Sequence, residues 1–410
     1  MSLAQTLSEL AGDNPPPLCP GFEMSGVACD VRGMRNDRLD LALVRSQAPC
    51  TAAGVFTTNQ VKAAPVVYCQ EILDTSERFH GILANSGNAN ACTGAEGLAN
   101  TRSLARAAES DELPADSVFV CATGRIGRPL PMDRLLPGVA AARENLNLEE
   151  GGAFNAARAI LTSDTREKTA RVTFAHDGKT LTVSGFAKGA GMIEPNMATM
   201  LAFVLTDVDV PQPLLQAALK QAVAGSFNTL SIDGDMSTND TVLLLANGAS
   251  GLSLQTNEGP LWNAFTQALG KVCKALARKI VADGERITKL VTVKVTGADS
   301  PSDAEAVARA IGNSLLVKTA WYGSDPNWGR VACAAGYAGV ALKSEQLTIA
   351  YDTVTVFDRG LPVEANIPQA QAICARPAFE VRIDLGAGRA GFDLLTTDLS
   401  EGYVDFNKSE

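Results

Sequence analysis

Lys188-Gly189-Ala190-Gly191-Met192-Ile193-Glu194-Pro195-Asn196-Met197-Ala198-Thr199-Met200-Leu201 leads a glycine-rich, proline-containing loop directly into the continuous apolar run Met200-Leu201-Ala202-Phe203-Val204-Leu205. A short apolar run bounded by turn residues is the pattern of a strand buried on both faces. The residue at the junction is a threonine with a small alanine before it. If the Ala198–Thr199 peptide bond is cut, Thr199 becomes an N-terminal residue at the mouth of a rigid strand. Its own α-amine, with an ordinary pKa of about 7.7–8.0, then serves as general base for its hydroxyl. The plain alternative is a glycine loop entering a core strand whose first polar residue is an ordinary threonine.

Before this loop, residues 171–186 read as a hairpin that turns at Ala175-His176-Asp177-Gly178, and a short helix around 156–161 leads to Thr162-Ser163-Asp164-Thr165. Further upstream, 54–58 and 65–69 are rich in β-branched or aromatic residues and read as strands, and 84–94 reads as a polar loop. Residues 98–109 read as helix, and 117–122 as a strand running into a glycine turn. Downstream, 213–224 is helical in pattern. Trp262, Phe265, Leu269, Val272, Leu276 and Ile280 recur at three- or four-residue spacing, one apolar helix face that ends near Asp283-Gly284. Strands at 290–295, 347–350, 353–357 and 379–385 complete a mixed α/β pattern. Strands and helices do not alternate strictly, which predicts layered sheets covered by helices rather than a TIM barrel or a doubly wound sheet.

The composition narrows the chemistry. A chain of 410 residues with 46% hydrophobic residues suggests two or three structural units with substantial cores. The net charge of −10 and the lack of a long basic run argue against a nucleic-acid partner. Two histidines, His80 and His176, cannot build a multi-histidine metal centre, and both read as structural or solvated. Nine cysteines without a C-x-x-C spacing read as reduced, mostly buried thiols, neither a disulfide framework nor a zinc site, so no metal is expected. Met1-Ser2-Leu3-Ala4-Gln5-Thr6 lacks a signal-peptide pattern and no apolar stretch approaches ~18 residues, so the expectation is a soluble cytoplasmic protein with no membrane partner.

The 188–201 stretch resembles the self-cleavage motif of the ornithine acetyltransferase (glutamate N-acetyltransferase) family of arginine biosynthesis. Further family blocks are resembled by Phe227-Asn228-Thr229-Leu230-Ser231-Ile232-Asp233-Gly234-Asp235-Met236-Ser237-Thr238-Asn239-Asp240-Thr241, by Ser324-Asp325-Pro326-Asn327-Trp328-Gly329-Arg330, by residues 85–94 and by Glu401-Gly402-Tyr403-Val404. The resemblance implies a layered α/β sandwich like that of self-cleaving, N-terminal-nucleophile aminopeptidases and amidases. It implies a cut between Ala198 and Thr199, giving an alpha chain 1–198 and a beta chain 199–410 that form one interlocked catalytic unit, with two copies of each. Thr199 would then carry acetyl from N-acetylornithine to glutamate as an acetyl-threonine ester, without a cofactor. Members of the family differ in whether acetyl-CoA also serves as donor, and no residue here decides that.

The resemblance also assigns roles. The Thr123 hydroxyl and the Gly124 backbone N–H, in Ala122-Thr123-Gly124-Arg125-Ile126-Gly127, match the family's oxyanion donors; on local pattern the segment is a strand-ending glycine turn. Thr162 and Lys188 match substrate contacts, Lys188 through a substrate carboxylate; their plain readings are a helix cap and a solvated loop lysine. Glu285 matches an acidic position for a substrate amine, although Arg286-Ile287 replaces the family's small Gly-Ala pair beside it; otherwise it is a loop acid past a helix end. Asn407 matches a further substrate contact, while the family's terminal Thr or Ser contact has no assigned counterpart, Ser409 being the one residue that could substitute. Arg330 reads either as placed near a carboxylate or as part of a packed Pro-Trp turn. The rival functions are a hydrolase of the same architecture, an amidase or aminopeptidase whose acyl-enzyme is resolved by water, and an unprocessed binding protein that keeps the fold.

Overall fold

The computed structural model describes residues 3–109, 111, 113–194 and 200–408; Ala198, Thr199 and Ser409 lie outside the described residues. The chain divides into two compact units. Helix α1 (Leu3–Ala11) belongs to the smaller one.

The larger unit, Asp13–Asn228 with Asp235–Ile280, is built on strands β1 (Phe22–Val27), β2 (Leu41–Phe56), β3 (Phe79–Asn88), β4 (Val118–Arg125), β5 (Lys168–His176), β6 (Lys179–Lys188), β7 (Leu201–Thr206) and β8 (Thr241–Ala246). They run in the order β4-β3-β2-β8-β7-β6-β5, with β1 also on β2. The long strand β2 joins the two halves of the sheet, because Leu41–Arg45 pair with β3 while Thr51–Phe56 pair with β8. Its register breaks between Arg45 and Cys50, where Pro49 brings no N–H to a ladder. Helices α2 (Ala64–Thr75), α3 (Gly94–Glu109), α4 (Met132–Glu144), α5 (Glu150–Ala159), α6 (Gln212–Ala224) and α7 (Gly259–Val281) complete the unit. The hairpin of β5 and β6 turns at Asp177 and Gly178, both at positive φ, and β7 is buried at all six positions, as the sequence predicts.

Two readings are corrected. Residues 65–69 lie in helix α2 and not in a strand. Pro65 falls in the first helical turn, where its missing N–H costs nothing, and the buried side chains Pro65, Val66, Tyr68, Cys69 and Ile72 recur at helical spacing. Of the 84–94 stretch read as loop, residues 84–88 are the end of β3, which is buried along its whole length, and Gly94 opens α3. Polar side chains survive burial there because backbone carbonyls satisfy them. Asn85 Nδ2 donates to Asn88 O, and Asn88 Nδ2 donates to Arg128 O and Pro129 O.

The smaller unit holds strands β9 (Leu290–Ala298), β10 (Thr348–Tyr351), β11 (Val354–Asp358), β12 (Leu361–Pro362), β13 (Ala378–Asp384) and β14 (Ala390–Thr397), in the order β12-β11-β10-β13-β9-β14. Alternation on β9 points Val291, Val293 and Val295 into a core shared with Val307 and Ile311 of helix α8 (Pro301–Gly312). Helices α9 (Leu315–Tyr322), α10 (Trp328–Gly336), α11 (Ile367–Cys374) and α12 (Glu401–Asn407) follow. The 324–330 block is a packed turn: Asn327 caps α10, Trp328 stacks on Phe357 at 4.8 Å, and Arg330 donates to Leu316 O.

The result is the mixed, layered α/β arrangement expected. All nine cysteines are free thiols, and Cys19, Cys50, Cys69, Cys121, Cys273 and Cys374 are buried. Among the described residues no helix is long and apolar enough to cross a membrane.

Candidate active site

Strand β7 runs between β6 and β8, with Leu201 opposite Lys188 on one side and Thr241 on the other. The chain immediately before Leu201 therefore enters the sheet between the last residue of β6 and the first of β8.

Lys188 is not a solvated loop lysine. It closes β6 at 2% exposure and donates from Nζ to Thr162 Oγ1 at 2.6 Å. Thr162, two residues past the end of α5's C-cap, is thus turned toward β6 rather than capping a helix. Both groups converge on Asp164, whose side chain is fully buried. Its carboxylate accepts from Lys168 Nζ at 2.6 Å, Gly189 N at 2.7 Å and Thr162 N at 3.0 Å, and lies 3.6 Å from Lys188 Nζ. Burial pushes the Asp164 carboxyl upward, but the Lys168 and Lys188 ammonium groups outweigh it and hold the acid well below its ordinary range. The arrangement clamps one lysine head group beside a hydroxyl at a strand end, a geometry suited to binding an anion.

Thr123 and Gly124 end β4, with Thr123 at 2% exposure. Gly124 has φ +131°, and a Cβ there would lie 2.4 Å from Gly87 C and 2.6 Å from Asn88 N. Both are backbone atoms of β3 that cannot yield cheaply. Gly124→Ala is therefore expected to lose about 2–4 kcal/mol through overpacking and backbone strain together, seen as a lower urea midpoint with unchanged slope.

Asn239 ties this turn to the start of β8, donating from Nδ2 to Ala89 O at 2.6 Å and to Ala122 O at 2.9 Å. Its neighbour Asp240, at 0% exposure, accepts the Met200 N–H at Oδ1, 2.9 Å away. Burial lifts the Asp240 carboxyl well above its ordinary range, against the opposing pull of the Met200 N–H, Lys188 and the Ser237 backbone. The other oxygen, Oδ2, is buried without a hydrogen-bond partner among the described residues.

In the smaller unit, Glu285 lies between α7 and β9 and accepts from Asn407 Nδ2 at 3.0 Å. The helix that carries Asn407 is fixed at its start: Ser400 Oγ accepts from Tyr403 N and donates to Arg286 O at 2.6 Å, and the Tyr403 hydroxyl donates to Asp233 Oδ2 at 3.2 Å. Arg286, at φ +55°, places its guanidinium 5.2 Å from the centre of the Phe406 ring. Arg286 thus packs on α12.

Among the sequence-predicted residues, the structure brings Thr162 to Lys188 and Glu285 to Asn407, and sets Thr123 and Gly124 at one strand end. Asp164, Lys168, Asn239 and Asp240 went unassigned in the sequence reading. Each sits inside or beside a quoted block, but acid, amide and lysine residues in polar loops carry no sign of burial until their partners are known. Among the described residues no group of histidine, cysteine and acidic side chains is placed to hold a metal ion.

The ArgJ family model matches residues 23–409. The chain is similar to the arginine biosynthesis bifunctional protein ArgJ of Thermotoga neapolitana, 41% identical over 394 residues that cover 94% of this chain and 98% of the relative. It is also similar to the ArgJ protein of Symbiobacterium thermophilum, 43% identical over 390 residues, 95% of this chain and 96% of that one. Among solved structures it is similar to the ArgJ protein of Bacillus halodurans, at 37% identity and a TM-score of 0.49, covering 52% of this chain and 100% of that chain.

Proposed function

The chain belongs to the ArgJ family, and from that premise we propose that it is a self-processing acetyltransferase of arginine biosynthesis with Thr199 as its nucleophile. In maturation the Thr199 hydroxyl attacks the Ala198 carbonyl, the acyl group moves from nitrogen to oxygen, and water hydrolyses the ester. The products are chain 1–198, ending in a carboxylate, and chain 199–410, beginning with a free α-amine, in a layered α/β fold of the N-terminal-nucleophile type. Two copies of each make the assembly, in the cytoplasm.

In turnover the α-amine takes the proton of the Thr199 hydroxyl as that oxygen attacks the acetyl carbonyl of N-acetyl-L-ornithine. The Thr123 hydroxyl and Gly124 N–H hold the oxyanion. Collapse passes the proton to the departing amine, releasing L-ornithine and leaving an acetyl ester on Thr199. The amine of L-glutamate then attacks that ester, and N-acetyl-L-glutamate leaves. The acetyl group travels on the protein itself, so no resident cofactor is required; acetyl-CoA is the alternative donor.

The observation that carries this reading is the buried Lys188 head group, held 2.6 Å from the Thr162 hydroxyl at the end of the strand that leads into the Ala198–Thr199 loop. Donor and acceptor both bear an α-carboxylate, so one fixed cation serves both half-reactions. Intact mass spectrometry after mixing with N-acetylornithine and, separately, with acetyl-CoA tests it. An acetyl adduct on the chain beginning at Thr199 is expected with N-acetylornithine, and absence of any adduct from either donor overturns the reading. If free acetate is released equally fast with and without glutamate, the protein is a hydrolase of the same architecture.

We assign Glu285, with Asn407 bound to it, to the cationic end of ornithine. Loss of one charge-assisted contact is worth about 1.5–3 kcal/mol. Glu285→Gln is thus expected to raise KM for N-acetylornithine roughly 10- to 100-fold with little change in kcat, a pattern of lost uniform binding. Steady-state kinetics that show a falling kcat at constant KM would remove Glu285 from substrate binding.

A further inference from the structure

Two buried ammonium groups share the Asp164 carboxylate at the adjoining ends of β5 and β6, and they hold it differently. Lys168, the first residue of β5, has its side chain fully buried, as Asp164 has, and places Nζ 2.6 Å from Asp164 Oδ1. Lys188, the last residue of β6, stands off at 3.6 Å from Oδ2. Its ammonium donates instead to the Thr162 hydroxyl at 2.6 Å, and that hydroxyl donates onward to Oδ2 at 3.4 Å. Backbone groups fix the carboxylate from both sides, Gly189 N on Oδ1 and Thr162 N on Oδ2. One cation is enough to balance one buried carboxylate. A second one nearby is repelled by the first and loses its own hydration, so its presence calls for a reason.

We infer that Lys168 is a positioning residue for carboxylate recognition: by engaging Asp164 it keeps the Lys188 ammonium on the Thr162 hydroxyl, where its charge serves the α-carboxylate of the substrate. The inference rests on the proposed role of Lys188. Without the Lys168 charge, Asp164 is a buried carboxylate left beside Lys188, and closing the 3.6 Å gap into a direct ion pair compensates it. The ammonium then leaves the hydroxyl, and a substrate must compete with an internal carboxylate for it. Asp240 also acts on Lys188, but burial holds that carboxyl toward its neutral form, so it competes less for the ammonium.

The test is Lys168→Met in the full chain, which keeps an apolar stem of similar length and removes the charge. N-acetyl-L-ornithine is compared with N-acetyl-1,4-diaminobutane, which lacks only the α-carboxylate. The wild type is expected to prefer the first by roughly 10- to 100-fold in kcat/KM, as one charge-assisted contact dictates. Lys168→Met is expected to lose most of that preference through a KM for N-acetylornithine raised roughly 10- to 50-fold at nearly unchanged kcat, with kcat/KM for the decarboxylated compound within about threefold of wild type. Equal losses with both compounds, the mark of a merely structural role, overturn the inference, and so does an unchanged preference.

Adding Asp164→Asn to Lys168→Met removes the competing carboxylate. The double variant is expected to recover at least about fivefold in KM over Lys168→Met, a coupling of opposite sign to two independent injuries; a KM as high or higher overturns the inference. If Lys168→Met is not cut at 198/199, the double variant decides alone. A cut product with KM for N-acetylornithine within about tenfold of wild type supports the assignment, and an uncut one or a larger KM overturns it. A wild type that uses both compounds equally well removes the carboxylate role of Lys188 itself, and the inference falls with it.

Discussion

Thr199→Ala is expected to migrate as one uncut chain on denaturing electrophoresis, where the wild type gives two bands of similar size, and to lose at least about 10⁴-fold in acetyl transfer. Both losses have one cause. In the proposed scheme the hydroxyl is the attacking group in maturation and in turnover, so removing it would abolish the free α-amine as well as the ester-forming oxygen. Thr199→Ser separates the two requirements, because it keeps a hydroxyl and an α-nitrogen. It is expected to be cut and to form the acetyl adduct at a reduced rate. A wild-type preparation that remains intact at full activity would sink the maturation scheme, and a Thr199→Ala protein that is still cut would move the nucleophile elsewhere.

The second large effect is on stability. Asp164→Ala leaves the buried Lys168 and Lys188 ammonium groups without the carboxylate at which they converge. Removing one partner from a buried ionic cluster costs about 3–5 kcal/mol, much of it the penalty of an uncompensated charge. The same acid sets a pH dependence. Its folded-state pKa lies below the ordinary aspartate value of 3.8, because Lys168 and Lys188 outweigh the upward push of burial. The unfolded chain therefore binds the proton first on acidification. The stabilisation is complete above that ordinary value and is lost as pH falls toward the folded-state pKa. Urea unfolding from neutral to acid pH should show this loss in the wild type and a correspondingly flatter profile in Asp164→Ala. Equal midpoints for the two proteins at neutral pH would show that the cluster contributes nothing net.

The sequence was most informative where a single period or turn decides the element. The apolar run after Thr199, the helix face from Trp262 to Ile280 and the turn at Asp177-Gly178 were all legible, because burial, periodicity and positive φ leave direct marks on residue choice. It misled where a segment's neighbours decide. Val66-Val67-Tyr68-Cys69 has strand-like composition, yet Pro65 starts a helix that buries the same side chains. Asn85 and Asn88 look like loop residues, yet the Asn88 carbonyl and the distant carbonyls of Arg128 and Pro129 pay for their burial in β3. The candidate site divides in the same way. The family resemblance drew attention to Thr123, Gly124 and Lys188, while Asp164 and Asp240 acquire meaning only from the groups that the fold brings together around them.

The position of β7 has one more implication. Read across the middle of the larger unit's sheet, β2 and β6 precede the 198/199 bond in the chain, and β8 and β7, which lie between them, follow it. A cut at that bond would leave two polypeptides that alternate as inner and outer slats of a single sheet, joined through the β2–β8 ladder on one side and the β6–β7 ladder on the other. Neither fragment could then depart without unzipping both seams and exposing strands that are buried along their whole length. Fragment exchange between molecules would be as slow as global unfolding, and each mature enzyme would keep for life the partner with which it was translated.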